Sequence, residues 1–253
     1  MRWRAIGLIG LAAAAALAAG MARGATAPRP VFVVLVDQSL DSTLTTRLDG
    51  VGEGRLAAQA ALKLKGRVYA DGFAENALSR MRFPITTDFS KPPPTYSGQN
   101  PDLIKLARDA QVASLVARGT ALLLKNLNEQ GSDIIGALLA TVRGPLTGAH
   151  GRVLIVLDSN MLEYSVDDRL FFTDSVPRFL VATLDRLAAR GRIPNLRGAC
   201  VEVTDVGKLD DNSIGTTRFL AVERFWRAYF ARAHARLVGW LPRAPESLHA
   251  PCA

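Results

Sequence analysis

Residues 31–36 read Val-Phe-Val-Val-Leu-Val, an unbroken apolar and mostly β-branched run that stops at Asp37. A strand with one wet face would alternate, so a run without polar interruption predicts a strand covered on both faces, at the centre of a sheet. Val153 to Leu157 repeats the pattern, and Ala199 to Val203 forms another β-branched run. Helix-like stretches separate these runs. Strands alternating with helices predict an α/β fold, a doubly wound, mainly parallel sheet flanked by helices.

The connecting stretches supply the other elements. Ala57 to Lys65 reads as the end of a helix, and Gly66 to Phe73 and Leu78 to Phe89 read as two further strands. Asn100 caps a helix with Pro101 in its first turn, extending through Leu103, Ala107, Val112, Leu115 and Leu122 to about Asn128, before Gly131. A small apolar helix is expected from Asp133 to Val142, and another opens at Pro177 and runs to Arg190. The last helix is read from Arg218 to Val238, with Phe219, Val222, Trp226, Tyr229 and Ala233 forming a core-facing stripe. Arg218, Arg224, Arg227, Arg232 and Arg236 lie mostly off that stripe and read as a solvated face. Lys91 to Pro101, rich in proline, reads as a surface loop, because too little chain precedes it to close a separate core. A single domain is therefore expected over residues 30–241, with a tail at 242–253.

At the amino end, Arg2 and Arg4 precede an Ala-rich apolar run from Ala5 to Ala19, and small residues follow at Gly20, Ala22, Gly24, Ala25 and Ala27. That pattern predicts a secretory signal over residues 1–27, with an uncleaved anchor as the alternative, and hence a periplasmic or secreted product. Setting aside Arg2, Arg4 and Arg23 lowers the net charge from +8 to +5. The remaining arginines are dispersed, which argues against a nucleic-acid partner. Membrane contact is expected only if the leader stays attached. Cys200 and Cys252 leave two readings open: a bridge formed in an oxidising compartment, or one buried and one fraying thiol.

In a sheet of this kind, ligands meet the loops beyond the carboxyl ends of the central strands. Three such segments carry short oxygen donors: Asp37-Gln38-Ser39-Leu40-Asp41-Ser42-Thr43, Gly131-Ser132-Asp133-Ile134 and Asp158-Ser159-Asn160-Met161. With no His or Cys among them, they suit a hard divalent cation such as Mg²⁺. Asp37-x-Ser39, then Ser132-Asp133 at a helix start, then Ser159-Asn160 resembles the metal-ion-dependent adhesion site of von Willebrand factor type A (VWA) domains. The family pattern is D-x-S-x-S, then Thr-Asp, then Thr/Ser-Asp. Residues 157–165, 196–203 and 225–233 are similar to segments of exported bacterial members, and the resemblance runs from Val31 to the final helix.

The resemblance implies a Rossmann-like fold and a metal set of Asp37, Ser39, Asp41, Ser132 and Asn160. The implied ion is Mg²⁺, with Mn²⁺ or Ca²⁺ as alternatives. Two positions depart from the family: Asp41 stands where the second Ser belongs, and Asn160 where the last Asp belongs. One change adds a negative charge and the other removes one, so the carboxylate count is unchanged. Asp158 is an alternative source of the missing charge.

The function this implies is a non-enzymatic interaction module, whose bound ion keeps one position open for an acidic side chain of a protein partner. A metal-independent structural subunit of an envelope or secreted assembly, docking through the Arg-bearing last helix, is the alternative. A hydrolase using Asp37 or Ser159 is disfavoured, because His150, His234 and His249 bear no motif relation to Ser159 and no Gly-x-Ser-x-Gly elbow occurs.

Overall fold

The computed structural model describes residues 29–40, 42–91, 100–125, 129, 131–147, 152–172, 175–196, 198–207 and 215–252. The signal expected at 1–27, Asp41 and the expected helix end at Asn128 lie outside the described residues. Among the described residues no helix is long and apolar enough to cross a membrane.

The two most apolar runs form the middle of the sheet. Strand β1 (Val31–Asp37) lies between β2 (Arg67–Phe73) and β4 (Val153–Asp158), parallel to both, with Val31 opposite Arg67 on one side and Val153 on the other. β3 (Ile85–Asp88) closes one edge antiparallel to β2, while β7 (Ala199–Thr204) and β8 (Arg236–Trp240) extend the other edge in parallel. The order is therefore β3-β2-β1-β4-β7-β8. A small antiparallel pair, β5 (Tyr164–Ser165) and β6 (Leu170–Phe171), stands apart from it.

Helices cover both faces, which explains why the central strands need no polar positions. Phe32, Val34 and Val36 face α1 (Leu44–Leu64) and α3 (Pro101–Leu123), where Ala57, Ala58, Ala61, Leu115 and Leu123 complete one core. Val33, Leu35, Ile155 and Leu157 face the other side. There α2 (Ala77–Arg80), α4 (Ile134–Arg143), α5 (Leu180–Ala189) and α6 (Thr216–Arg232) close the larger core around Trp226 and Tyr229. α1 passes unusually close to the sheet at Gly50, where an added Cβ would lie 2.5 Å from Val36 Cγ2.

Several expected boundaries shift. The strand expected over Leu78 to Phe89 is instead α2 followed by the short edge strand β3. Between them, Asp71 Oδ2 accepts from the Arg82 and Phe83 N–H groups, both at 2.8 Å, and Phe83 sits at φ +51°. The helix expected from Pro177 begins at Leu180. The last helix stops at Arg232 rather than Val238: His234 turns the chain at φ +56°, and Arg236–Trp240 becomes β8. The Asn100 cap holds, its side chain accepting from Asp102 N at 3.0 Å.

Of the two readings for the cysteines, the structure takes the bridge. Cys200 in β7 is bonded to Cys252, with Cα atoms 5.1 Å apart. The chain end is also tied down by Val153 N donating to Cys252 O at 3.0 Å and by His249 N donating to Glu202 Oε2 at 3.0 Å.

Candidate metal centre

β1 and β4 are neighbours, yet the chain leaves β1 toward β2 and leaves β4 toward β7. The loops beyond their carboxyl ends diverge, and the gap between them is the place where such sheets bind ligands. Asp37 ends β1 on the face of Val33 and Leu35, and Ser159 follows β4 on the face of Ile155 and Leu157. Alternation thus brings the two to one side of the sheet.

Ser132 arrives from a third direction. Gly131 adopts φ +74° and passes so near Tyr164 that an added Cβ would lie 2.2 Å from the Tyr164 Cβ. The Ser132 carbonyl accepts from Tyr164 N at 2.9 Å, and Asp133 N donates to Ala74 O at 3.1 Å. Asp133 Oδ1 then caps α4 by accepting from Gly136 N at 2.8 Å. The turn before the helix is therefore held at three points, and Ser132 is fixed with it.

These segments converge on one carboxylate. Asp37 Oδ1 accepts from Ser39 N at 3.0 Å and Ser39 Oγ at 2.7 Å. Its Oδ2 accepts from Ser132 Oγ at 2.5 Å and Ser159 Oγ at 2.9 Å. The Ser39 and Ser132 hydroxyls are themselves 3.1 Å apart. Asp37, Ser39, Ser132 and Ser159 are all buried. Burial pushes the Asp37 carboxyl above the ordinary carboxylate range, and the hydrogen bonds from Ser132, Ser39 and Ser159 pull it part of the way back.

The donor set fits a small hard cation. Adjacent ligand oxygens around Mg²⁺ at its usual bond length stand about 2.9 Å apart, close to the spacings just given. Hydroxyls that donate to Asp37 retain lone pairs for an ion. The cluster is covered, and Leu40, next to Ser39, is exposed.

The other expected ligands behave differently. Asn160 is buried beside the cluster, but its Oδ1 accepts from Leu162 N at 2.9 Å, stabilising its own turn. Asp41 lies outside the described residues. Asp158 lies on the α1 face, with Leu154 and Val156, away from Asp37 and Ser159. Ser159, left out of the expected set, takes a position in it. The signal was available, since it stands two residues beyond Leu157 and shares its face.

A second acidic group supports the first from behind. Among the described residues, Asp133, Glu163 and Asp168 are the group whose carboxylate oxygens all lie within 4.8 Å of one another. Their cation is already in the chain. Arg192 holds Asp168 through contacts at 2.7 and 2.9 Å and reaches Asp133 at 3.4 Å. Glu163 Oε2 accepts from the Ile134 and Ile135 N–H groups at 3.0 and 3.2 Å, at the start of α4. Burial, and then the charge of Asp133, push Glu163 well above the ordinary carboxyl range. This network anchors the turn that carries Ser132.

No family model matches the chain, and no curated protein matches it.

Proposed function

We propose that the chain is a non-catalytic interaction module of the VWA type that binds an acidic side chain of a protein partner through a divalent cation. One observation carries this reading: serine hydroxyls from three separate loops meet on the single carboxylate of Asp37, where the strand order reverses. Asp37, Ser39 and Ser132 would hold Mg²⁺, or Mn²⁺ or Ca²⁺, with Ser159 completing the inner group. Asp41 supplies the second carboxylate in this reading, and Asn160 shapes the loop. The partner's carboxylate takes the position the protein leaves open.

Two features bear on the alternatives. Of the described histidines, His249 lies against Glu202, and His234 sits in the turn entering β8, at the sheet edge opposite Asp37. Neither is placed to activate Ser159, which weighs against a hydrolase. Arg227 is paired with Glu223 at 2.6 Å and Arg232 with Asp185 at 2.5 Å, so the basic helix face spends part of its charge internally. That weakens the metal-independent docking reading. Export is supported by the Cys200–Cys252 bridge, since structural disulfides persist in oxidising compartments.

The test is thermal unfolding in Mg²⁺ or Mn²⁺ against EDTA for the wild type and Asp37→Asn. An ion that binds only the folded state adds about 2.7 kcal/mol at a hundred times its dissociation constant. The wild type should gain more from the ion than the variant does. Equal gains, or none in either protein, would overturn the reading.

A further inference from the structure

The opposite face of the same sheet edge holds a second group of oxygens. Glu53 comes from α1, Asp158 ends β4, and Thr204 ends β7 directly beside Asp158 in the ladder. α1 crosses so close above Asp158 that a Cβ on Gly50 would lie 2.7 Å from its Oδ2. Glu53 follows one turn later on the buried side of the helix.

Glu53, Asp158 and Thr204 are each 0 % exposed. Neither oxygen of Asp158 has a hydrogen-bond partner, and the donor that bears on Glu53 is the Thr204 hydroxyl. Burial, partly offset by the Thr204 hydroxyl and then reinforced by the charges of Asp205, Glu202 and Asp49, pushes Glu53 up to about 8, and burial and neighbouring acids raise Asp158 as well. The buried cation of this helix face, Arg47, is turned to Ser42, donating to its carbonyl and its hydroxyl at 3.1 Å. Two buried carboxylates with one hydroxyl donor between them need a proton or a cation to be stable there.

We propose that Glu53, Asp158 and the Thr204 hydroxyl form a second cation site, beneath α1 and on the other face of the sheet from Asp37, for a hard divalent ion such as Ca²⁺ or Mg²⁺. Oxygen-only donors with two carboxylates match the chemistry of these ions and not that of zinc or copper sites built on thiolate or imidazole. The site lies on the other face from the Asp37 cluster: Asp158 turns toward α1, whereas Asp37 and Ser159 turn toward the opposite core.

Equilibrium dialysis of the disulfide-bonded chain against Ca²⁺, and separately Mg²⁺, with bound ions counted by mass spectrometry, tests this. Glu53→Gln and Asp158→Asn should each lose one ion per chain or bind it at least tenfold more weakly, while Asp37→Asn keeps that ion. If the adhesion-type reading of Asp37 is wrong, the wild type binds one ion, which Glu53→Gln removes and Asp37→Asn does not. Wild-type stoichiometry and affinity in a folded Glu53→Gln would overturn the proposal. So would an Asp37→Asn protein that binds neither ion at millimolar concentration, a result that does not depend on the Glu53 variant folding.

Discussion

Reducing the Cys200–Cys252 bridge should cost this domain about 4 kcal/mol, and the figure follows from where the two cysteines sit. They are 52 residues apart in sequence. Cross-linking a loop of that length removes roughly 14 cal/mol/K of entropy from the unfolded chain, or about 4 kcal/mol at 25 °C. The segment they enclose includes α6 and β8, so the unfolded chain is constrained across the whole carboxyl-terminal quarter of the fold. Little offsets the loss, because Cys200 is 1 % exposed and its reduced thiol remains a small buried apolar group. Loss of the Val153 N to Cys252 O hydrogen bond would add to the cost if the released end frays. The assay is urea unfolding with and without a reductant, and of Cys252→Ala. With a slope of about 2 kcal/mol/M, the midpoint should fall by roughly 2 M, equally for reduction and for the variant. A fall smaller than about 0.5 M in both would refute the reasoning, since it would mean that the chain end contributes nothing through closure of the loop.

Two other perturbations read the buried charges. Arg192→Met should destabilise by about 3–5 kcal/mol, because it strips the cation from Asp133 and Asp168 while leaving them buried; a urea midpoint within about 0.5 M of wild type would refute the anchoring role given to this network. In EDTA, stability should fall as pH rises from about 4.5 to about 8, since Glu53 binds its proton more tightly in the folded state, at about 8, than at its ordinary 4.5. The contribution is fully present below the lower value and gone above the upper one. Glu53→Gln should flatten that part of the profile, and a variant whose profile parallels the wild type between pH 5 and 8 would show that Glu53 is ionised throughout.

The parts of the fold that were legible in the sequence are those where one local signal decides the outcome. A short, β-branched apolar run is read as a covered strand, and β1, β4 and β7 are found where those runs lie. Asn100 followed by Pro101 is sufficient to start α3. β8 was hidden because Ala233 and Leu237 continue the spacing of the helix before them, while the left-handed turn at His234 that breaks it leaves no apolar trace. The first half of α1 was hidden for another reason: Gly50, Gly52 and Gly54 oppose a helix by propensity, and packing against β1 and β4 overrides them. Glu53 was lost with that half-helix. Asp37, Ser39 and Ser132 were legible because each follows a recognisable element boundary. Arg192, which reaches carboxylates 24 and 59 residues away, follows none.

The ends of β1 and β4 show how one sheet can give aspartates of the same type opposite requirements. Asp37 receives a backbone N–H and three hydroxyls, which offset part of the cost of burying its carboxyl. Asp158, on the adjoining strand but the other face, receives none, and α1 seals it with Gly50 above and Glu53 beside. Donors for one aspartate and a carboxylate for the other make the first cluster competent without an ion and the second dependent on a proton or a cation. The two faces should therefore respond differently when divalent ions are withdrawn at neutral pH: the Asp37 loops keep their hydrogen bonds, and the contact between α1 and β4 loosens first. Hydrogen exchange in EDTA against Ca²⁺ would resolve this, with faster exchange at Gly50 to Ala57 expected in EDTA. Equal protection of α1 in both conditions would place a proton, not a cation, between Glu53 and Asp158.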